Sequence, residues 1–221
     1  NNSVTLNDQT GPEITAMTIS DDNSTVSVTL SETTYSTNGG SGDLEVNDFA
    51  FSLTGGVATL ASPFPTTISA SGTTITLGLS VTGKADGNEQ LTVLPGTNSL
   101  YDAIGNVAST TQTNNTAYLT DKTAPGTPTS LSANGDNQQV TLSWTVSSDL
   151  DVAKYYIYSG TSASPTTMTD STVSRTHAGK LITGLTNGTT YYFRVSAVDS
   201  AGLESAKSAD ASATPSSGVI I

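Results

Sequence analysis

The chain has 221 residues and a net charge of −12, from 19 acidic and 7 basic side chains, and it contains no cysteine. Length suits two domains of ~100 residues each. Without cysteine there are no disulfides, thiol catalysis or thiolate-bound metal, and so few, unclustered basic residues exclude an electrostatic nucleic-acid interface.

The first element in chain order is a phrase. Leu6-Asn7-Asp8-Gln9-Thr10-Gly11-Pro12 returns as Leu119-Thr120-Asp121-Lys122-Thr123-Ala124-Pro125, an offset of 121 − 8 = 113 residues. A repeat at one-domain spacing points to a tandem array of modules with the phrase at the joint. Residues 1–7 are then expected to be the tail strand of a preceding module. Left without it, they could pair as a strand donated between subunits.

Domain 1 is expected over residues 8–122. Apolar residues alternate with Ser and Thr, as in Val26, Val28 and Leu30 or Ile75, Leu77, Leu79 and Val81. Period two in short runs bounded by Gly, Asn, Asp or Pro predicts strands. They fall near 13–19, 24–30, 48–54, 57–61, 73–81, 89–94 and 115–119. Segments 31–47 and 95–112 read as long loops at the N-terminal end. The 20–23 and 82–88 turns belong at the other end, beside Asp121.

Residues 123–125 read as a linker, 126–215 as domain 2, and 216–221 as the start of the next linker. Domain 2 strands are predicted near 129–134, 138–145, 153–159, 166–170, 176–183, 189–198 and 206–214. Here Val140-Thr141-Leu142-Ser143-Trp144 and Leu185-Thr186-Asn187-Gly188-Thr189-Thr190-Tyr191-Tyr192-Phe193-Arg194-Val195 resemble a fibronectin type III domain. The resemblance implies a core tryptophan at Trp144 and a tyrosine corner at Tyr191, its hydroxyl bonded to backbone near Leu185. Domain 1, through its joint phrase, Thr29-Leu30-Ser31-Glu32 and Tyr101-Asp102-Ala103-Ile104-Gly105-Asn106, resembles the immunoglobulin-like or cadherin-like repeats of bacterial surface proteins. The expected fold is all-β: two tandem antiparallel β-sandwiches.

Catalysis finds little support. The lone histidine, His177, has no Gly-x-Ser-x-Gly elbow to serve, and the carboxylates lie in polar turns rather than in an apolar cleft. Those acids suit calcium, which takes six to eight hard oxygens. The candidate ligands at the joint are Asp121, Asp21, Asp22, Asp86, Glu89, Asp149, Asp151, Asp199 and Glu204, with Asp121 bridging. Asp8, Glu32 and Asp102 form a second candidate set at the N-terminal end. Without a cation they are turn residues that bond their own backbone.

Strand phase turns Tyr156, Tyr158, Tyr192 and Arg194 outward, a surface for glycan stacking or a self-covered cross-strand group. No apolar run is long enough to cross a membrane. The function expected is a non-catalytic stalk, spacer or fibre subunit of an extracellular or cell-surface bacterial protein, stiffened by Ca²⁺ at its joints. The alternative is an accessory or carbohydrate-binding region of a secreted polysaccharide-degrading enzyme. Expected partners are neighbouring modules, self-assembly through a donated strand, and glycans.

Overall fold

A computed structural model describes residues 7–218. The expected tail strand at 1–7 therefore lies outside the described residues apart from Asn7, which is in no strand. The chain divides into two compact units, Asn1–Lys122 and Thr123–Ile221. Each is a sandwich of antiparallel sheets, as the period-two pattern predicts.

In the first unit β1 (Ile14–Ile19), β2 (Thr25–Leu30), β5 (Ile68–Ser71) and β6 (Thr74–Gly78) make one sheet in the order β1-β2-β6-β5. β3 (Phe49–Thr54), β8 (Gln90–Pro95) and β9 (Thr116–Tyr118) make the other, in the order β3-β8-β9. β4 (Thr59–Leu60) and β7 (Val81–Thr82) form a short separate ribbon. First strand beside second, fifth beside fourth, third beside sixth and seventh is the immunoglobulin-like arrangement once the β4–β7 ribbon is set aside. The alternating residues meet between the sheets: Val26, Val28, Phe49, Ile75, Leu77, Leu91 and Val93 are buried, while intervening Ser and Thr face out.

Two boundaries differ from the sequence reading. The single strand expected at 73–81 is broken, because the chain leaves β6 for the β4–β7 ribbon just after Gly78. A side chain at Gly78 would collide with Thr66 and Thr67. β5 differs because Ile68-Ser69-Ala70-Ser71 alternates but offers only one large apolar side chain, too weak a signal for a strand by itself. Pairing to β6 creates it.

The second unit packs β10 (Thr129–Asp136), β11 (Gln139–Thr145) and β14 (Gly179–Thr183) against β12 (Val152–Gly160), β13 (Met168–Ser171), β15 (Tyr191–Asp199) and β16 (Ala211–Ala213). Its sheet orders are β10-β11-β14 and β13-β12-β15-β16. Trp144 is buried with Tyr155, their ring centroids 5.5 Å apart, among Leu142, Ile157, Phe193 and Val195. The Thr186 N–H donates to the Tyr191 hydroxyl at 3.2 Å, so the tyrosine corner forms where it was expected.

The final strand is shorter than the expected 206–214. Upstream of β16 the chain lies along β15 without regular pairing, and two serines complete the hydrogen bonding. Ala197 N–H donates to Ser205 Oγ at 2.9 Å and Val195 N–H to Ser208 Oγ at 3.0 Å. Both serines are buried, and both edge N–H groups are satisfied by side chains instead of a ladder.

Candidate functional site

The expected loop placement holds within the first unit. The two long loops meet at Tyr35 and Tyr101, which exchange backbone hydrogen bonds at 2.9 Å. Asp102 organises the second loop. Its Oδ1 accepts the N–H groups of Ile104, Gly105 and Asn106, and its Oδ2 accepts the Asn106 side-chain amide at 2.7 Å. That amide also donates to the carbonyls of Asp8 and Thr10, at 3.2 and 3.3 Å. Asn106 thus ties the phrase Asp8-Gln9-Thr10-Gly11-Pro12 to the loop.

Gly11 lies so close to the Val107–Ala108 backbone that a Cβ would collide with the Val107 carbonyl. Asp8 turns its Oδ1 to the Thr10 N–H and hydroxyl, at 2.9 and 2.7 Å, which lowers its pKa.

Asp8, Glu32 and Asp102 come together as the sequence suggested, with carboxylate oxygens within 4.8 Å of one another. Burial, then the charges of Asp102 and Asp8, push the Glu32 carboxyl up. Burial also opposes the charge on Asp102, but the Asn106, Ile104 and Gly105 donors more than offset it, and its pKa is lowered. These three acids are hard oxygen donors, the chemistry that suits calcium.

At the other end of this unit, Asn23 exchanges two hydrogen bonds of 2.8 Å with the backbone of Thr120. Gly87 abuts Asp121, and the Lys122 N–H reaches the Ala85 carbonyl at 2.7 Å. The 20–23 and 82–88 turns therefore flank Asp121 as expected.

Several acids named there have partners inside the fold. Asp22 accepts from Ser20 Oγ and from the N–H and hydroxyl of Ser24, which lower its pKa to about 2. Asp86 caps the Asn88 N–H at 3.0 Å, and Asp21 is exposed. Glu89 is fully buried, and its carboxylate accepts the N–H groups of Val57 and Ala58 at 2.8 Å and of Asp86 at 3.1 Å. It closes the loop before β4, a role its Gly-Asn-Glu setting did not reveal.

In the second unit, Asp149 accepts from the Gly126 N–H and from Ser147 Oγ. Glu204 accepts from the Tyr158 hydroxyl and from Ser196 Oγ, and Lys207 lies 3.7 Å away. Asp151 is half-buried, and Asp199 is buried at the end of β15.

The expected outward tyrosine surface is altered here. Tyr158 is only 5% exposed, because Glu204 holds its hydroxyl and Lys207 Nζ lies 4.2 Å over its ring. The irregular chain before β16 covers this face of the sheet. Lys154 Nζ lies 5.0 Å over the Tyr156 ring. Arg194 is drawn to the Ser208 carbonyl and Asp210. Tyr192, half-buried, stands opposite Gly160 and Ser212. Sequence phase assigned the correct face, but nothing local showed that later chain would fold over it.

The buried Trp144, the tyrosine corner and the three-on-four sheet order are now joined by a match of residues 124–214 to the family profile of the fibronectin type III domain. These residues are a fibronectin type III domain. The crystal structure of a Fn3-like protein from Clostridium thermocellum is 31% identical, covering 41% of this chain and 92% of that one, at a TM-score of 0.36. The structure of FN3tt mut is 26% identical over 42% of this chain and 97% of that one, at 0.35. Pectate lyase Pel3 from Pectobacterium carotovorum is 20% identical over 38% of this chain and 26% of that one, at 0.34. No curated protein matches the chain. Fibronectin type III domains are typically non-catalytic modules. Among the described residues no helix is long and apolar enough to cross a membrane.

Proposed function

We propose that this chain is a non-catalytic structural segment of an extracellular, multidomain surface protein, serving as a stalk, spacer or fibre subunit. The observation that supports this is the joint phrase. One copy leads into each sandwich, ahead of β1 and of β10. In the first unit it is held by Asn106 and by the close approach of Gly11 to Val107. A phrase that locks onto its own module at the point of linkage is a device for chaining modules.

The covered tyrosines agree with a projecting role. Tyr158 and Arg194 serve the sheet's own outer face, which leaves less aromatic surface for sugar stacking. Two measurements test the reading. The parent reading frame should carry further copies of the phrase at about one-domain spacing. A glycan array probed with the chain should show no saturable binding. A hydrolase domain in that frame, together with glycan binding lost in Tyr156→Ala, would replace this reading with that of an enzyme's accessory region.

A further inference from the structure

One carboxylate oxygen in the second unit is buried without a partner. Asp199 closes β15 and is 2% exposed. Its Oδ1 accepts the Leu203 N–H at 2.8 Å, inside the turn that follows the strand. Its Oδ2 is buried and accepts no hydrogen bond. The cations Lys180, Arg194 and Lys207 sit instead against Asp170, Asp210 and Glu204. A carboxylate oxygen removed from water without a partner is costly, so it calls for a compensating charge.

The surroundings favour a cation. Asp199 pairs across the sheet with Val152, so the 149–151 loop lies beside the 199–203 turn. The Ser200 N–H donates to the Asp151 carbonyl at 3.1 Å, which joins the two loops. A carboxylate oxygen of Asp151 lies within 4.8 Å of one of Asp199. Two anions this close repel, and the repulsion vanishes if one ion binds both. One calcium ion, with Ca–O bonds of ~2.4 Å, can reach both oxygens, and it accepts the irregular shell that two loops offer, where magnesium demands a near-ideal octahedron.

We propose that Asp199 Oδ2 and the Asp151 carboxylate bind a calcium ion, clamping the loop before β12 to the turn after β15. Donors of this kind, all oxygen and two of them charged, suit a hard cation, with loop carbonyls and water completing the shell.

The test titrates calcium chloride into the chelator-treated 221-residue chain, reading heat of binding and melting temperature together. The wild type should bind. At ~100-fold above the dissociation constant, its folding equilibrium should shift ~100-fold toward the native state. Asp199→Asn keeps an oxygen for Leu203 but removes the buried charge. It should weaken calcium binding at least ~10-fold, yet melt in chelator at or above the wild-type temperature. Asp151→Asn, at a half-buried position, should weaken binding similarly without the folding risk of a buried change. Asp43→Asn, at an exposed position outside both acid groups, should leave the calcium response unchanged. Absence of binding by the wild type would overturn the proposal. So would a full response in both Asp199→Asn and Asp151→Asn, or a response abolished by Asp43→Asn alone. Magnesium alone producing the whole shift would overturn the assignment to calcium.

Discussion

Glu89 shows how one side chain in this protein holds backbone together. Burial pushes its carboxyl up, and the N–H donors of Ala58, Val57 and Asp86 more than offset that, leaving its pKa below the ordinary 4.5. The stabilisation is therefore present above pH ~4.5 and fades as pH falls through the lower native value. Glu89→Gln keeps one oxygen for the Val57 and Ala58 N–H groups but turns an amide donor on the Asp86 N–H, and it should cost ~1–3 kcal/mol at pH 7 in a denaturant titration, with the difference shrinking at acid pH. Glu32 carries the opposite sign. Its raised pKa means that charging it costs native stability as pH rises through that value. Glu32→Gln should raise the melting temperature at pH 7 and change it little at pH 4. An equal gain at both pH values would show that charge is not the cause. Trp144 contributes packing in the second core, and its Nε1 is buried without a partner. Trp144→Ala should cost ~3–5 kcal/mol, and Trp144→Phe, which loses no hydrogen bond, distinctly less. A loss below ~1 kcal/mol for the alanine variant in urea would mean that the side chain is not packed there.

At the scale of elements, two segments depend on non-repetitive contacts. The stretch before β16 is attached to β15 by Ser205 and Ser208. Removing either hydroxyl leaves a buried N–H, of Ala197 or Val195, without its acceptor. Ser205→Ala and Ser208→Ala should each cost ~1–3 kcal/mol. Hydrogen exchange should show the loss of protection at Ala197 or Val195 first; unchanged protection at both would refute the assignment. The joint phrase of the first unit is seated by backbone proximity. Gly11→Ala forces the segment off Val107 and should cost ~1–3 kcal/mol, as overpacking does. Amides at 8–11 should then exchange faster, while the β2 and β6 amides stay protected.

At the scale of the molecule, each unit has its own apolar core: one around Val26, Phe49, Leu77 and Leu91, the other around Trp144, Tyr155 and Phe193. A core of this kind supports independent folding. Residues 123–221 produced alone should unfold in one cooperative transition; a broad, non-cooperative melt would contradict this.

Much of this architecture was legible in the chain itself. Period-two alternation such as Val26, Val28 and Leu30 encodes which residues enter a sandwich, because successive strand side chains point to opposite faces. Trp144 and the Tyr191 corner were readable because their roles depend on neighbours close in sequence or on one strand pairing. Other features arose only from chain brought together over long separations. The covering of Tyr158 needs Glu204 and Lys207 to fold back over β12. The closing role of Glu89 needs Val57 and Ala58, some 31 residues earlier. The unpartnered Oδ2 of Asp199 beside Asp151 needs β12 and β15 in register. Sequence pattern determines faces and turns, because those follow from local geometry. Which polar atoms end buried, paired or alone is a property of the packed sandwich, where burial and partners are set jointly by strands distant in the chain.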